Sequence, residues 1–154
     1  MGERRARVAG DRVAFVRTAV VLHPEGVLKP LMALTRAGVS GPLGSGAQAW
    51  PWISLEDEVR GILHVIDNDI TGPVNLAGPT RATANDIGFA LARRLNRPYA
   101  LRAPAFALRT VLGRTFADDV LLSDAHVVPG TLAASGFEFR HATAEEAIAA
   151  AVTA

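Results

Sequence analysis

The sequence predicts an α/β fold with a mostly parallel sheet, and three observations carry that prediction. Val13–Leu22 is a nearly continuous apolar run rich in β-branched residues, which is typical of a strand covered on both faces. Apolar residues with helical spacing follow later in the chain, at Val59, Ile62, Leu63 and Ile66. Strand patterns and helix patterns alternate along the rest of the sequence, which favours parallel pairing.

Helix starts are indicated by a hydroxyl residue followed three positions later by a carboxylate. This spacing lets the two side chains satisfy free backbone N–H groups in the first turn. The three such pairs are Ser54 with Asp57, Thr83 with Asp86, and Thr143 with Glu146. The first predicts a helix from about Leu55 to Asp67.

The other elements follow from apolar periodicity and from glycine and proline stops. The sequence predicts, in chain order, a helix at Val27–Ala37 ended by Gly38, a strand at Val74–Leu76, a strand at Tyr99–Arg102, a helix at Ala105–Leu112, a helical turn at Pro129–Ala134 and a strand at Gly136–Phe139. Asp118 and Asp119 are adjacent, so on a helix they point about 100° apart and do not form a paired acid/base site.

Composition bounds the function. The chain has 154 residues, 49% of them hydrophobic, which fits one well-filled domain. Its formal net charge of +1 gives no reason to expect nucleic acid as a partner. It has no cysteine, which is compatible with a cytoplasmic location, and no apolar run of about 18 residues that could span a membrane.

Candidate binding residues cluster around the loop Gly41–Asp57, which delivers aromatic and amide side chains to a helix start. Gln48 offers both donors and an acceptor to hydroxyl groups, and Trp52 offers a ring on which a sugar or a base could stack. Ser54 lies at the helix start itself. The alternative to a binding site is that this segment is a surface loop whose tryptophans fill the core.

Two further candidates lie at the apolar run. Arg17 interrupts that run, and a guanidinium is rarely buried unpaired, so it should reach a carboxylate or a ligand. His23 opens the turn after the run, where open α/β sheets bind ligands. The alternative for Arg17 is a structural ion pair, and the alternative for His23 is an ordinary loop residue.

Several catalytic motifs are absent from the sequence. It holds no glycine fingerprint after an N-terminal strand, so no Rossmann phosphate cradle is predicted. Tyr99 is the only tyrosine and Lys29 the only lysine, which excludes a Tyr-x-x-x-Lys pair. No nucleophile elbow and no Walker loop occurs either.

Several segments resemble the second half of the extended short-chain dehydrogenase/reductases, and in particular their epimerase-like subfamily of nucleoside-diphosphate-sugar epimerases. The matching segments are Arg17–Leu22 (RTAVVL), Gly41–Gly46 with Gln48 (GPLGSG and Q), Trp52–Asp57 (WISLED), Gly72–Leu76, Arg97-Pro98, Val128-Pro129 and Gly136–Phe139. They cover the chain from about residue 10 to residue 152. Two positions depart from the family pattern: Ser54 stands where the family has His, and Ala19 where it has Gly.

The resemblance implies the C-terminal part of a Rossmann-type protein, with the last parallel strands and a small α/β substrate domain. Residues 10–40 and 54–78 would be residual Rossmann-sheet elements, and residues 41–53 and 79–154 would cover the substrate, all within a single domain, 1–154. The family's nucleotide-binding half, with its Tyr-x-x-x-Lys pair, has no counterpart here. The parent protein would use NAD or NADP, and this chain alone would not bind it tightly.

Our leading hypothesis is therefore a substrate-binding, C-terminal portion of an NAD(P)-dependent epimerase or dehydratase, inactive alone and completed by a separate N-terminal Rossmann half. Its small-molecule substrate would be a nucleotide sugar. The alternative is a non-catalytic binding or dimerisation module that kept the fold. Because Val13–Leu22 would lack sheet neighbours, we also expect a homo-oligomer.

Overall fold

The computed structural model describes residues 12–42, 45–101 and 125–153. Four strands and five helices lie in these ranges. In chain order they are β1 (Ala14–Thr18), β2 (Val20–Leu22), α1 (Leu28–Arg36), β3 (Trp52–Ser54), α2 (Leu55–Asp67), β4 (Gly72–Leu76), α3 (Ala84–Arg94), α4 (Gly130–Ala134) and α5 (Ala144–Ala151). The predicted helix at Ala105–Leu112 and the Asp118-Asp119 pair lie outside the described residues.

All strand pairing within these elements is parallel, as the sequence predicts. β1 pairs with β4, from Ala14 opposite Gly72 to Thr18 opposite Leu76. β2 pairs with β3, and Val20 lies opposite Trp52. The α/β prediction is confirmed.

The prediction of one strand over Val13–Leu22 is wrong, because the chain changes partner at Ala19. The Ala19 N–H donates to the Leu76 carbonyl at 2.9 Å, and the next N–H, that of Val20, donates to the Pro51 carbonyl at 3.0 Å. One apolar run therefore feeds two separate two-stranded sheets. Apolar periodicity does not reveal this break, because both halves of the run are partly covered.

Helix starts agree with the capping prediction. The Ser54 hydroxyl accepts from the Asp57 N–H, and α2 begins at Leu55. Thr83 and Thr143 each form a complete capping box, with Asp86 and Glu146 respectively. Such caps satisfy first-turn N–H groups and typically contribute about 1 kcal/mol each.

Two predicted strands are absent from the described residues. Gly136–Phe139 is irregular: the Phe137 N–H donates to the carbonyl of Leu132 in α4, and the rings of Phe137 and Phe139 meet edge-to-face at 4.9 Å. At 99–101 the N–H groups of Ala100 and Leu101 share one acceptor, the Ser40 carbonyl, so no ladder forms. Aromatic packing, and not strand pairing, explains the alternation at 136–139.

The buried apolar residues form two clusters. The first joins α1, α3 and α5 around the two tryptophans and includes Leu28, Trp50, Trp52, Leu91 and Ile148. The second lies between the β1–β4 sheet and the helices α2 and α4, and includes Val65, Val74, Leu76, Leu132 and Phe137. None of the described helices is long and apolar enough to cross a membrane.

Candidate functional site

A cleft of about 530 Å³ opens where the two sheets separate. It begins at the carboxyl end of β1, and its walls come from β4, from the segment before β3 and from the segment before α4. Its lining residues are Arg17, Thr18, Ala19, Val20, Trp50, Pro51, Asn75 and residues 125–128. In open parallel sheets, ligands bind beyond the carboxyl ends of the strands, so the position of the cleft is that of a ligand site.

The cleft lies at the point where the chain changes strand partner, at Ala19. β1 pairs with β4 and β2 pairs with β3, so the chain passes from one two-stranded sheet to the other at Ala19, and the cleft there is lined by Asn75 and Pro51. The Asn75 amide donates to the Val128 carbonyl at 3.2 Å and so ties the segment before α4 to the sheet. Strand pairing therefore holds the walls formed by β1 and β4, and this hydrogen bond holds the wall before α4.

The chemistry of the lining suits a polar ligand with negative charge. Arg17 brings a guanidinium, the exposed His126 brings an imidazole, and Asn75 brings an amide. Trp50, which is 2% exposed, forms an apolar wall. Among the described residues, no group of three or more His, Cys, Asp or Glu side chains could hold a metal ion.

Arg17 is the predicted site residue that lines this cleft. Trp52 borders an adjoining, narrower cavity of about 90 Å³, which shares Trp50 and Pro51 with the cleft. The Trp52 ring is 1% exposed, and its Nε1–H donates to the Thr80 carbonyl at 2.9 Å. The structure thus brings Arg17 and Trp52 to neighbouring cavities, with Trp50 between them.

His23 and Gln48 do not line the cleft. His23 Nδ1 accepts from the Glu25 N–H at 3.2 Å within the turn after β2. Gln48 is 7% exposed; its Oε1 accepts from the Ser45 hydroxyl at 3.0 Å, and its carbonyl accepts from the Ala84 N–H at the start of α3. These contacts shape the turn and the glycine loop.

Ser54 belongs to a buried network centred on Asp57. The Ser54 hydroxyl donates to Asp57 Oδ2 at 3.1 Å and lies 3.0 Å from His141 Nδ1. Asp57 is 1% exposed and also accepts from the backbone N–H groups of Arg140 and His141, at 2.8 and 3.0 Å. This network fastens the segment before α5 to α2.

The starts of α2 and α3 do not fit the pyrophosphate of a dinucleotide. Phosphate binding at a helix start needs free N–H groups and a local excess of positive charge. The first turn of α2 instead carries Glu56, Asp57 and Glu58, and the start of α3 is closed by Thr83 and Asp86. Carboxylates at these positions would repel a phosphate group.

Sequence reasoning missed Trp50, Asn75 and His126. Asn75 carried a usable signal, because it is a polar residue near the carboxyl end of a predicted strand, where parallel sheets place their binding groups. Trp50 could not be preferred over Trp52, because nothing in the sequence says which of the two tryptophans borders the wider cavity. His126 lies in a segment without periodicity.

Known proteins match the chain in both sequence and structure. The model of a domain of unknown function, DUF1731, matches residues 103–151. An epimerase family protein of Mycobacterium leprae is 42% identical over 96% of this chain and 48% of its own length. An epimerase family protein of Mycobacterium tuberculosis is 42% identical over 97% of this chain and 50% of its own length. The chain therefore spans about half the length of these curated relatives.

Solved structures agree. The human epimerase family protein SDR39U1, solved with NADPH, is 29% identical and superposes with a TM-score of 0.86. The match covers 97% of this chain and 52% of the human chain. A nucleoside-diphosphate sugar epimerase from Corynebacterium glutamicum is 26% identical over 96% of this chain and 28% of its own, with a TM-score of 0.70. The chain therefore belongs to the epimerase family of the extended short-chain dehydrogenase/reductases, and it corresponds to their carboxyl-terminal part.

Proposed function

We propose that this chain forms the substrate-side part of an NAD(P)-dependent epimerase- or dehydratase-like oxidoreductase, and that the cleft at Arg17 binds its substrate. The observation that carries the proposal is the position of this cleft beyond the carboxyl end of β1, with a guanidinium in its wall. A nucleoside-diphosphate sugar is the substrate class that fits, because a guanidinium pairs with phosphate oxygens through two parallel hydrogen bonds. The name of the Corynebacterium glutamicum protein points to the same class.

The cofactor would be held elsewhere. The helix starts that follow β3 and β4 carry carboxylates, so the dinucleotide would bind to the half of the family's protein that this chain does not match. A nicotinamide cofactor supplies hydride transfer when it is bound. The residues described here would bind the substrate, orient it and limit the access of water. This chain alone would then be inactive and would bind NAD or NADP weakly.

The proposed division of labour is supported in part by the two core clusters. Residues 10–40 and 54–78 would continue the Rossmann sheet, which agrees with the cluster around β1, β4 and α2. Residues 41–53 and 79–154 would cover the substrate, in agreement with the cluster around α3 and α5. Elements on both sides depart from this division, because α1 packs with the second group, whereas Leu132 and Phe137 pack with the first.

The test is an NMR titration of the ¹⁵N-labelled chain with UDP-glucose. We expect shifts at residues 17–20, 75 and 126–128, and we expect Arg17→Ala to raise the dissociation constant at least tenfold, or about 1.4 kcal/mol. Arg36→Ala, which removes an exposed arginine of α1, is the matched control and should stay within twofold. Equal affinities of the wild type and the Arg17 variant would show that the cleft is not the binding site.

A second candidate function is favoured by one observation. Five large apolar side chains of α2 are exposed, as expected of a binding or dimerisation module that lacks chemistry. Light scattering at micromolar concentration separates the candidates. A stable homodimer that binds no nucleotide sugar would favour the module, whereas nucleotide-sugar binding in the cleft favours the substrate-side role.

A further inference from the structure

The cleft carries a hydroxyl group at the end of β1. Thr18 is the last residue of that strand, it is exposed, and among the described residues that line the cleft it is the one with a side-chain hydroxyl. Such a group has one proton to donate and two lone pairs that accept. Which of these a ligand meets depends on where the proton is directed.

The Thr18 proton is directed at α2. The Thr18 hydroxyl donates to Glu58 Oε1 at 2.8 Å, and Glu58 is not among the residues that line the cleft. An ionised carboxylate can only accept hydrogen bonds, so the shared proton comes from the threonine. The oxygen of Thr18 is then left with its lone pairs for other partners.

Glu58 has a strong hold on this proton. The residue is 8% exposed, and its second oxygen, Oε2, is buried without a hydrogen-bond partner among the described residues. Burial raises the pKa of the Glu58 carboxyl, and the hydrogen bond from Thr18 opposes that shift, because the bond favours the charged form. If Thr18 turned its proton toward a ligand, both oxygens of a buried carboxylate would lack a donor, which costs free energy.

Asn75 adds a second acceptor to the lining. It lies on β4 opposite Arg17, and its amide donates to the Val128 carbonyl at 3.2 Å. Since that carbonyl can only accept, the amide nitrogen must be the atom that faces it. The other atom of the amide, Oδ1, then remains as an acceptor.

We propose that Thr18 is a specificity-determining residue of the cleft, whose oxygen accepts a hydrogen bond from a hydroxyl group of the ligand, and that Glu58 is the positioning residue that fixes this polarity. An alcohol has a proton to give, whereas a keto oxygen, an ether oxygen or an ionised phosphate oxygen has none. The inference rests on the proposed function and adds to it one chemical requirement. The ligand group bound at Thr18 is an alcohol, close to the anionic group that Arg17 would bind.

The first test is the titration of the ¹⁵N-labelled chain with UDP-glucose, repeated with Thr18→Val. This variant keeps the shape of the side chain and loses its oxygen, so the dissociation constant should rise about three- to tenfold, the effect of one hydrogen bond. Thr18→Ser keeps the hydroxyl and should stay within twofold. Thr71→Val, which alters an exposed threonine before β4 that does not line the cleft, is the matched control and should also stay within twofold. Equal affinities of the wild type and Thr18→Val would overturn the proposal.

The second test uses UDP-glucose analogues in which one hydroxyl at a time is replaced by fluorine, which has no proton to donate. For one of these analogues, the wild type should bind about three- to tenfold more weakly than it binds UDP-glucose. Thr18→Val should bind that analogue and UDP-glucose equally well, because the acceptor is gone. A purely structural role of Thr18 would weaken all ligands alike. If no analogue loses its disadvantage in Thr18→Val, the proposal is wrong.

The same analogue tests the role of Glu58. In Glu58→Met the Thr18 proton has no carboxylate to bind and can turn toward the fluorine, so the discrimination between UDP-glucose and the analogue should fall at least twofold. Glu56→Met makes the same substitution at an exposed glutamate of α2 that pairs with Arg140, and should leave the discrimination unchanged. Unchanged discrimination in Glu58→Met would show that Glu58 does not set the polarity of Thr18.

The titrations separate this inference from the proposed function. If UDP-glucose shifts none of the cleft residues of the wild type, the proposed function fails and the inference fails with it. If Arg17→Ala weakens binding and Thr18→Val does not, the inference alone is wrong. Weaker binding by both variants, with Thr18→Ser and Thr71→Val unchanged, is the result that we expect.

Discussion

Removing the Asp57 carboxylate should separate the segment before α5 from the rest of the fold. In Asp57→Ala the backbone N–H groups of Arg140 and His141 lose their acceptor. At roughly 1–3 kcal/mol for each partly buried group left without a partner, the loss amounts to about 2–6 kcal/mol. The ion pair with Arg60 adds under about 1 kcal/mol, because that guanidinium is exposed enough to be hydrated.

The assay is urea denaturation of the 154-residue chain followed by circular dichroism, with the slope checked for constancy across variants. Asp67→Ala, at the exposed end of the same helix, is the control and should change the free energy of unfolding by less than about 0.5 kcal/mol. Amide hydrogen exchange should also show faster exchange at Arg140 and His141. If Asp57→Ala lowers the free energy of unfolding by less than about 1 kcal/mol, with an unchanged denaturant slope, Asp57 does not hold residues 140–141 against α2.

The remaining predictions concern a close contact and a buried carboxyl. A methyl group at Gly78 would lie 2.7 Å from the Trp52 ring, so Gly78→Ala should destabilise the chain by about 1–3 kcal/mol in urea denaturation. Gly130 has open space around it, so the control variant Gly130→Ala should be neutral or stabilising. Equal effects of the two glycine variants would contradict the packing described at Trp52. Burial raises the pKa of Glu58 above its ordinary value of 4.5, so folding favours the protonated carboxyl. The free energy of unfolding that this protonation contributes is fully present below about pH 4.5. It is lost as the pH rises through the pKa of the folded state. Glu58→Gln should therefore stabilise the chain relative to wild type more at pH 7 than at pH 4, and a pH-independent difference would contradict this.

Much of the fold could be predicted because its signals are local. The capping pairs at Ser54, Thr83 and Thr143 fix helix starts through side chains three residues apart, and each is found where expected. The break at Ala19 could not be predicted in this way. It depends on which carbonyl, that of Leu76 or that of Pro51, lies within reach, and both are distant in sequence.

The candidate site was predicted less well for the same reason. Arg17 was identified because a charge inside an apolar run is a local anomaly, and it lines the cleft. Ser54 and Gln48 have the right chemistry for binding, but their polar atoms contact neighbouring segments of the fold. Their proposed contact with substrate stays a prediction, since chemical type in a sequence does not say whether a group faces a ligand or the protein.

The exposed apolar side of α2, with Val59, Ile62 and Ile66 among its residues, shows a related limit. Its helical period predicts an amphipathic helix correctly, but the period alone cannot say whether the apolar side meets this chain or another one. In the structure Asp57 and Gly61 face inward, while Val59 and Ile66 face out. The inward face is polar where the network to residues 140–141 requires a carboxylate, and small where Leu76 approaches.

The central claim is that this chain binds the substrate and that the cofactor is held elsewhere. Calorimetric titration of the chain with NADPH tests this claim most directly. We predict no saturable binding up to millimolar NADPH for this chain alone. Stoichiometric binding in the micromolar range would contradict the account, since it would require a phosphate cradle that the acidic first turn of α2 and the closed start of α3 do not provide.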